Sequence, residues 1–276
     1  MVSLQHRSVT ITMAIAVVLG CWQGPATSGE APTAEQLKRG KLVYERGCFV
    51  CHGTDGKGDG VAAPYLDPRP RDFTKGEFKF RTTPNGAIPT ADDLARTITH
   101  GLNGTAMSPW LELSKSDLQA VIAYVETFSE RFKTESATPI KVPPATPFDM
   151  AAVQRGQKWY NEIECGKCHG AEGRGDGPSA PELKDNWGFS IRPADLTQAA
   201  RYKRGASPTD IYLTVFTGLT GTPMPSNAGN LEKPQDEWDL VYYVYWLSQG
   251  KSLANAQRSL KNQSFSLTGV EQTWVK

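Results

Sequence analysis

The chain has 276 residues, of which 39% are hydrophobic and 21% charged, and its formal net charge at pH 7 is +1. This length has room for two ordinary domains, and the apolar content excludes a disordered protein. The near-zero net charge gives no electrostatic basis for binding nucleic acid, so no nucleic-acid partner is expected.

Residues 1–28 have the pattern of an export signal. The polar pair His6 and Arg7 precedes an apolar run, residues 9–20, which is too short for an ordinary membrane span. Two interpretations of the end of this signal remain open. The small residues 26–28 offer a cleavage site, whereas residues 18–21 resemble a bacterial lipobox, in which a lipidated Cys21 would anchor the protein to the membrane. Either ending predicts an exported, periplasmic protein.

Helix-start signals follow in both halves, with Ser, Thr or Asp ahead of each apolar pattern or Pro at its first position. In the first half, helices are predicted to start at Thr33, Thr90 and Ser114 and to end near Arg46, Gly101 and Phe132. In the second half, helices are predicted from Asp149, Ser207 and Pro234. No clear alternating strand pattern is present, so the predicted fold class is all-α.

Two copies of Cys-x-x-Cys-His give the strongest functional signal. The first is formed by Cys48, Cys51 and His52, and the second by Cys165, Cys168 and His169. This is the attachment pattern of c-type haem, in which both thiols bond covalently to the porphyrin and the adjacent histidine binds the iron. The pattern therefore predicts two haem c groups.

Two other uses of Cys-x-x-Cys are less well supported. A thioredoxin-like motif would lie in a βαβ pattern, which is not visible here. A four-thiolate zinc site usually has its pairs about 15–20 residues apart, whereas Cys51 and Cys165 lie in different halves of the chain. A zinc site also gives no reason for a histidine after each pair.

Each motif histidine is followed by a methionine at the same distance. The interval from His52 to Met107 equals the interval from His169 to Met224. A methionine thioether can bind the second face of haem iron and raises its reduction potential. The alternative is that both are core methionines, but their equivalent positions favour iron ligation.

His100 could compete with Met107 for the first iron. Its counterpart in the second half is Thr217, so the shared pattern does not require a histidine there. A histidine at the surface or at a helix end is the favoured interpretation.

The two halves align as a tandem duplication. Residues 56–60 match 173–177, residues 69–74 match 192–197 after an insertion in the second half, and residues 101–107 match 218–224 after a compensating deletion. The restored spacing suggests that the position of the methionine matters and that the loop before it does not. Residues 133–148 contain four prolines and are predicted to form an extended, semi-rigid linker.

Together these motifs resemble the class I cytochrome c family, as two fused domains. The resemblance implies an all-α fold of a few short helices around each covalently bound haem. It places domain 1 at residues 31–132, the linker at 133–148, domain 2 at 149–250 and a polar tail at 251–276.

The resemblance also implies two structural details. Pro64 and Pro181 follow their motif histidines at the same distance. Their backbone carbonyls would accept a hydrogen bond from the imidazole Nδ1–H. The first and last helices of each domain would cross at a glycine and an aromatic residue. The expected crossings involve Gly40 and Tyr44 against Val121 and Tyr124, and Gly156 and Tyr160 against Leu240 and Tyr243.

An electron carrier, and not an enzyme, is the function that the resemblance implies. Two six-coordinate His/Met irons leave no open position for a substrate, so single electrons would pass between periplasmic or membrane redox proteins. The protein would be a free shuttle, a tethered relay or a subunit of a larger complex. The alternative is a di-haem enzyme such as a peroxidase or a thiosulfate dehydrogenase. The latter typically uses a cysteine ligand, and only Cys21 lies outside the two motifs.

Overall fold

The computed structural model describes residues 31–251, and both repeats belong to one compact unit. The predicted leader with Cys21, and the tail beyond residue 251, lie outside the described residues. The first repeat contains α1 (Ala34–His52), α2 (Ala91–His100), α3 (Lys115–Glu126) and α4 (Arg131–Thr134). The second contains α5 (Met150–Glu162), α6 (Gly166–His169), α7 (Pro208–Thr217) and α8 (Pro234–Ser248).

The all-α prediction is confirmed. Between residues 31 and 251 the only extended pairing is an isolated antiparallel bridge from Lys184 to Ser190. None of the helices in this part of the chain has the length and apolar character needed to cross a membrane.

All six predicted helix starts are confirmed, and five of them have a side-chain cap, whereas α8 begins at Pro234 without one. In these five the side chain of the residue before the helix accepts a hydrogen bond from a backbone N–H three positions later. The capping residues are Thr33, Thr90, Ser114, Asp149 and Ser207.

Two helix ends differ from the predictions. Helix α1 continues past Arg46 to His52, where Gly53 with φ 77° ends it, so it includes the whole first motif. Helix α3 ends at Glu126 instead of near Phe132. There the Thr127 hydroxyl donates to the Tyr124 carbonyl at 2.6 Å, a local bond that competes with continued helix.

The α2 start offers a test of the capping assignment. Thr90 Oγ1 accepts from Asp93 N at 3.1 Å, and the Asp93 carboxylate accepts from Thr90 N at 3.0 Å. We expect Thr90→Ala to lower the free energy of unfolding by about 1 kcal/mol, because one buried helix-end N–H loses its acceptor. Urea denaturation checks this, with Thr90→Ser as the control that keeps the hydroxyl. Equal losses in both variants would contradict the assignment.

Each repeat is organised by a crossing of its long helices at a glycine, as expected. A Cβ built on Gly40 would collide with the Ala120 carbonyl, and one on Gly156 with the Asp239 carbonyl. The adjacent tyrosine pairs lie edge to face, with ring centroids 5.5 Å apart for Tyr44 and Tyr124 and 5.2 Å for Tyr160 and Tyr243. Val121 and Leu240 at these crossings are each only 1% exposed.

The linker is extended, and it lies against both repeats. Ile140 N donates to the Thr82 carbonyl of the first repeat at 2.8 Å. The Pro143 carbonyl accepts from Trp238 Nε1 of α8 at 3.2 Å, and the Thr146 carbonyl accepts from the Tyr242 hydroxyl. Helix α4 extends into the first residues of the predicted linker.

Buried arginines join the two repeats. Arg81 is fully buried, and its Nη2 donates to the Thr217 carbonyl at the end of α7 at 2.8 Å. In the opposite direction, Arg204 Nη1 donates to the Arg81 carbonyl at 2.8 Å. Arg96 of α2 also pairs with Asp210 at 2.8 Å. Arg81 and Arg204 therefore form a buried polar junction, and the Arg96–Asp210 pair lies at its more exposed side.

The segments that differ in length between the repeats build this junction. The segment 75–89, which includes Arg81, is longer than the equivalent segment of the second repeat. The insertion of the second repeat lies at residues 184–191. In that insertion, Trp187 lies under the Arg71 guanidinium, 4.3 Å from ring centroid to Cζ, and Phe189 lies under Arg69 at 4.9 Å. The loops before the methionines therefore have a structural role that the sequence pattern did not reveal.

Candidate functional site

The two Cys-x-x-Cys-His motifs lie at helix C-termini. The first occupies the last turns of α1, which runs unbroken to His52. In the second repeat the chain breaks after α5, where Glu164 adopts φ 61°, and Cys165 then caps the short helix α6. The four motif cysteines are half-buried and free of disulfides.

Each motif histidine donates its Nδ1 hydrogen to a backbone carbonyl. His52 Nδ1 lies 3.1 Å from the Arg71 oxygen, and His169 Nδ1 lies 2.9 Å from the Ala194 oxygen. Because a carbonyl oxygen only accepts, the hydrogen must be on Nδ1, and Nε2 keeps the lone pair that binds a metal. Both imidazoles are therefore fixed in the tautomer that leaves Nε2 available to a metal.

The acceptors are not the expected prolines. Pro64 and Pro181 lie in the 3-10 turns Ala63–Tyr65 and Ala180–Glu182. The following loop returns toward the motif instead, because Phe73 N donates to the Gly56 carbonyl at 2.7 Å and Leu196 N to that of Gly173. This brings the carbonyls of the matched 69–74 and 192–197 blocks to the histidines.

Burial shifts the pKa values of four motif side chains toward their neutral forms. It lowers the pKa of His52 and of His169, even though the hydrogen bonds to Arg71 and Ala194 oppose the shift. Burial raises the pKa of the Cys48 and Cys165 thiols to about 11. Among residues 31–251, no three or more His, Cys, Asp or Glu side chains cluster as metal ligands.

A buried tyrosine holds the chain just after each motif. The Tyr44 hydroxyl donates to the Gly53 carbonyl at 2.6 Å, and the Tyr160 hydroxyl to the Gly170 carbonyl at 2.7 Å. From the sequence, both tyrosines were expected only at the helix crossings, and this second contact was not predicted. It fixes the residue next to the motif histidine in both repeats.

The two methionines lie in identical turns. Thr105 Oγ1 accepts from Met107 N at 3.1 Å and donates to the Leu102 carbonyl at 2.8 Å. Thr222 does the same for Met224 N at 3.2 Å and the Leu219 carbonyl at 2.7 Å. Both methionines are half-buried. The repeated turn places the backbone of both methionines in the same local geometry.

His100 does not lie in a turn of the kind that holds the two methionines. It is the last residue of α2, it is exposed, and its Nδ1 lies 3.0 Å from the Arg96 carbonyl. The structure therefore places it at a helix end.

The residues present fit a haem c group in each repeat. Each site offers two free thiols and one imidazole with an available Nε2. The first also has a buried guanidinium nitrogen, Arg71 Nη1, with no hydrogen-bond partner in the described chain. Such a nitrogen suits a carboxylate, and haem carries two carboxylates as propionates.

Comparisons with known proteins agree with this geometry. A family model described as cytochrome c matches residues 37–129 and, separately, residues 153–248. The chain is also similar to a chain of the Kuenenia stuttgartiensis reducing HAO-like protein complex, with 43% sequence identity and a TM-score of 0.74. That match covers 77% of this chain and 96% of the other. The duplicated motifs, the helical fold and the two family matches together show that this chain belongs to the cytochrome c family, with two tandem cytochrome c domains.

Proposed function

We propose that this protein is a di-haem c-type cytochrome that carries single electrons between exported redox proteins. The observation that supports this best is the repetition of one arrangement. In both domains a half-buried Cys-x-x-Cys-His motif has its imidazole fixed by a backbone carbonyl, and a methionine occupies the same turn at the same distance along the chain.

Each protein group has a defined task in this proposal. Cys48 and Cys51 hold the first haem covalently, as Cys165 and Cys168 hold the second. His52 and His169 would hold the two irons through Nε2, and Met107 and Met224 would supply the second protein ligand of each iron. The haem irons supply the one-electron couple.

The chain around the irons favours electron transfer over substrate chemistry. The carbonyls of Arg71 and Ala194 hold the imidazoles in one orientation, which limits ligand movement when the charge of the iron changes. Two protein ligands on each iron leave no position for a substrate. An electron can enter through one domain and leave through the other, because a packed junction joins the two.

The partners we propose are redox proteins of the periplasm or its membrane. The export-signal pattern of residues 1–28 supports this location, with either a cleaved leader or a lipidated Cys21. The similarity to a chain from a complex of two proteins supports a second possibility, that this protein is the electron-transfer subunit of an oxidoreductase complex.

A redox titration of the mature protein tests the proposal. We expect two haems per chain, both low-spin in the visible spectrum, and neither changed when carbon monoxide is added to the reduced form. A haem that binds carbon monoxide readily would show a weak or absent distal ligand. That result would reject the His/Met assignment in that domain and favour a di-haem enzyme.

A further inference from the structure

The loop before each methionine contacts the other domain through the same position. Residues 101–107 and 218–224, called the methionine loops below, align residue by residue. In the first loop, Asn103 Nδ2 donates to the Tyr202 carbonyl of the second domain at 3.1 Å. In the second loop, Thr220 aligns with Asn103 and bonds to the first domain. Equivalent side chains therefore reach across the junction in opposite directions.

The Thr220 hydroxyl uses both of its hydrogen-bonding roles on one segment of the first domain. Its Oγ1 accepts from Gly86 N at 3.1 Å and donates to Asn85 Oδ1 at 3.0 Å. Asn85 Oδ1 also accepts from Nη2 of the buried Arg81 at 3.0 Å. Arg81 is fixed in turn, because its Nη1 donates to the Phe78 carbonyl at 3.0 Å. The first domain therefore orients the acceptor that Thr220 uses.

The start of the second methionine loop is held by the same arginine. Arg81 Nη2 donates to the carbonyl of Thr217, the last residue of α7, at 2.8 Å. The last carbonyls of a helix have no partner within it, and a cation is favourable there. The loop begins at the next residue, Gly218. Arg81 and Asn85 therefore hold the second methionine loop at two points from outside its own domain.

Bonds within the loop connect these two points to the methionine. Leu219 N donates to the Met224 carbonyl at 3.1 Å. The Thr222 hydroxyl bonds to Met224 N and to the Leu219 carbonyl. Thr220 lies in the chain between Leu219 and Thr222, inside the turn that these bonds close. A restraint on Thr220 therefore also restrains Met224.

The first methionine loop has the weaker restraint of the two. The Asn103 bond joins two neutral groups in an exposed position. The Arg81 bond to Thr217 is buried and has a charged donor. Charge-assisted hydrogen bonds are roughly twice as strong as neutral ones. The second methionine should therefore depend more on the junction than the first.

We propose that Thr220 and Asn103 are positioning residues, through which each domain holds the methionine loop of the other and strengthens the bond from that methionine to its iron. The proposal rests on the proposed function, because it requires Met107 and Met224 to be iron ligands. It adds that docking of the two domains and methionine ligation are coupled, so neither domain has its full ligand strength alone.

Thr220→Val in the full-length, haem-loaded protein is the main test. Valine keeps the branched shape and removes the hydroxyl that binds Asn85 and Gly86. Imidazole added to the oxidised protein competes with methionine for the iron. We expect its affinity for the second haem to rise about fivefold, which corresponds to about 1 kcal/mol for one lost hydrogen bond. The first haem should not change, and Thr220→Ser, which keeps the hydroxyl, should behave as the wild type.

Two variants test the reciprocal contacts. Asn85→Ala acts from the first domain and should raise the imidazole affinity of the second haem, because Thr220 loses its acceptor. Asn103→Ala should raise the affinity of the first haem only, by about twofold, the lower end of the range for one hydrogen bond. The Met107→Ala and Met224→Ala proteins assign the two haems in these titrations.

Thr214→Val is the matched control. It removes a threonine hydroxyl from the same domain, but that hydroxyl donates to the Asp210 carbonyl within α7, at 2.8 Å. Imidazole affinity should stay unchanged at both haems.

Hydrogen exchange gives a second readout, which does not depend on the haem spectrum. Backbone amides of residues 218–224 should exchange faster in Thr220→Val than in the wild type. Amides of residues 101–107 should exchange at the wild-type rate, since Asn103 keeps its bond to the Tyr202 carbonyl.

The outcomes separate this proposal from the proposed function. Unchanged imidazole affinity and hydrogen exchange in Thr220→Val and in Asn85→Ala, with both haems bound, would overturn the positioning role and leave the electron carrier intact. An equal rise at both haems, or an equal rise in Thr214→Val, would show general loosening and would also overturn it. A wild-type protein whose haems lack methionine ligands would overturn both proposals.

Discussion

Replacing Met107 by alanine should convert the first haem from a form that ignores carbon monoxide to one that binds it, while the second haem stays unchanged. The reason is that alanine offers no ligand to the iron, and the turn that carries Met107 is otherwise held by Thr105. The potential of the first haem should fall by a few tenths of a volt, because axial ligands tune haem over about 0.8 V. Visible spectra of the reduced protein with carbon monoxide, followed by a redox titration, measure both effects.

Two matched variants complete this test. Met224→Ala should produce the same change in the second haem only, because Thr222 holds Met224 in the same turn. Met150→Ala serves as the control, since Met150 is the first residue of α5 and is 37% exposed. If Met107→Ala leaves the spectrum, the carbon monoxide response and the potential unchanged, Met107 is not an iron ligand.

Replacing Gly156 by alanine should destabilise the protein by about 3 kcal/mol, at the upper end of the usual cost of overpacking. The added Cβ would collide with the Asp239 carbonyl and lie 2.8 Å from Tyr243 Cβ. Both neighbours belong to α8, so relief requires the two helices to separate along their whole crossing. Chemical denaturation of the haem-loaded protein measures the loss of unfolding free energy.

Gly166→Ala is the control for this substitution. Gly166 is also helical and lies in the same domain, but the nearest atom to its built Cβ is Tyr160 Cε1 at 3.6 Å, an ordinary contact. Alanine there should leave stability unchanged or raise it by up to about 1 kcal/mol, because glycine is unfavourable in helices. Similar losses at both positions would show that the close approach at Gly156 is not what requires glycine.

The parts of the fold that could be predicted from the sequence depend on local chemistry. An N-cap such as Thr90 binds a backbone N–H only three residues away, so a few neighbouring residues are enough to identify it. The helix crossings at glycine could be predicted because the family that the chain resembles has a glycine and an aromatic residue where the first and last helices cross. The haem motifs could be predicted because their chemistry requires particular side chains at fixed spacing.

The features that escaped prediction depend on the path of the chain in space. Every residue has a carbonyl, so nothing in a side chain marks Arg71 or Ala194 as the acceptor for an imidazole. Only the return of the loop, fixed by bonds such as Phe73 N to the Gly56 carbonyl, selects them. The insertion at residues 184–191 is visible as a length difference, but its role became apparent only when the structure placed Trp187 against the first domain.

The unequal loops make the order of the two domains a fixed property of the molecule. The two repeats differ in the loops at residues 75–89 and 184–191, and each loop contacts the other repeat, so neither repeat can replace the other. A chain with two identical halves would lack either the Arg81 contact or the Trp187 contact. The two ends of the protein are therefore chemically distinct, and a partner that recognises one domain need not recognise the other. In the electron carrier that we propose, such a built-in polarity would allow one chain to accept electrons at one domain and to deliver them at the other.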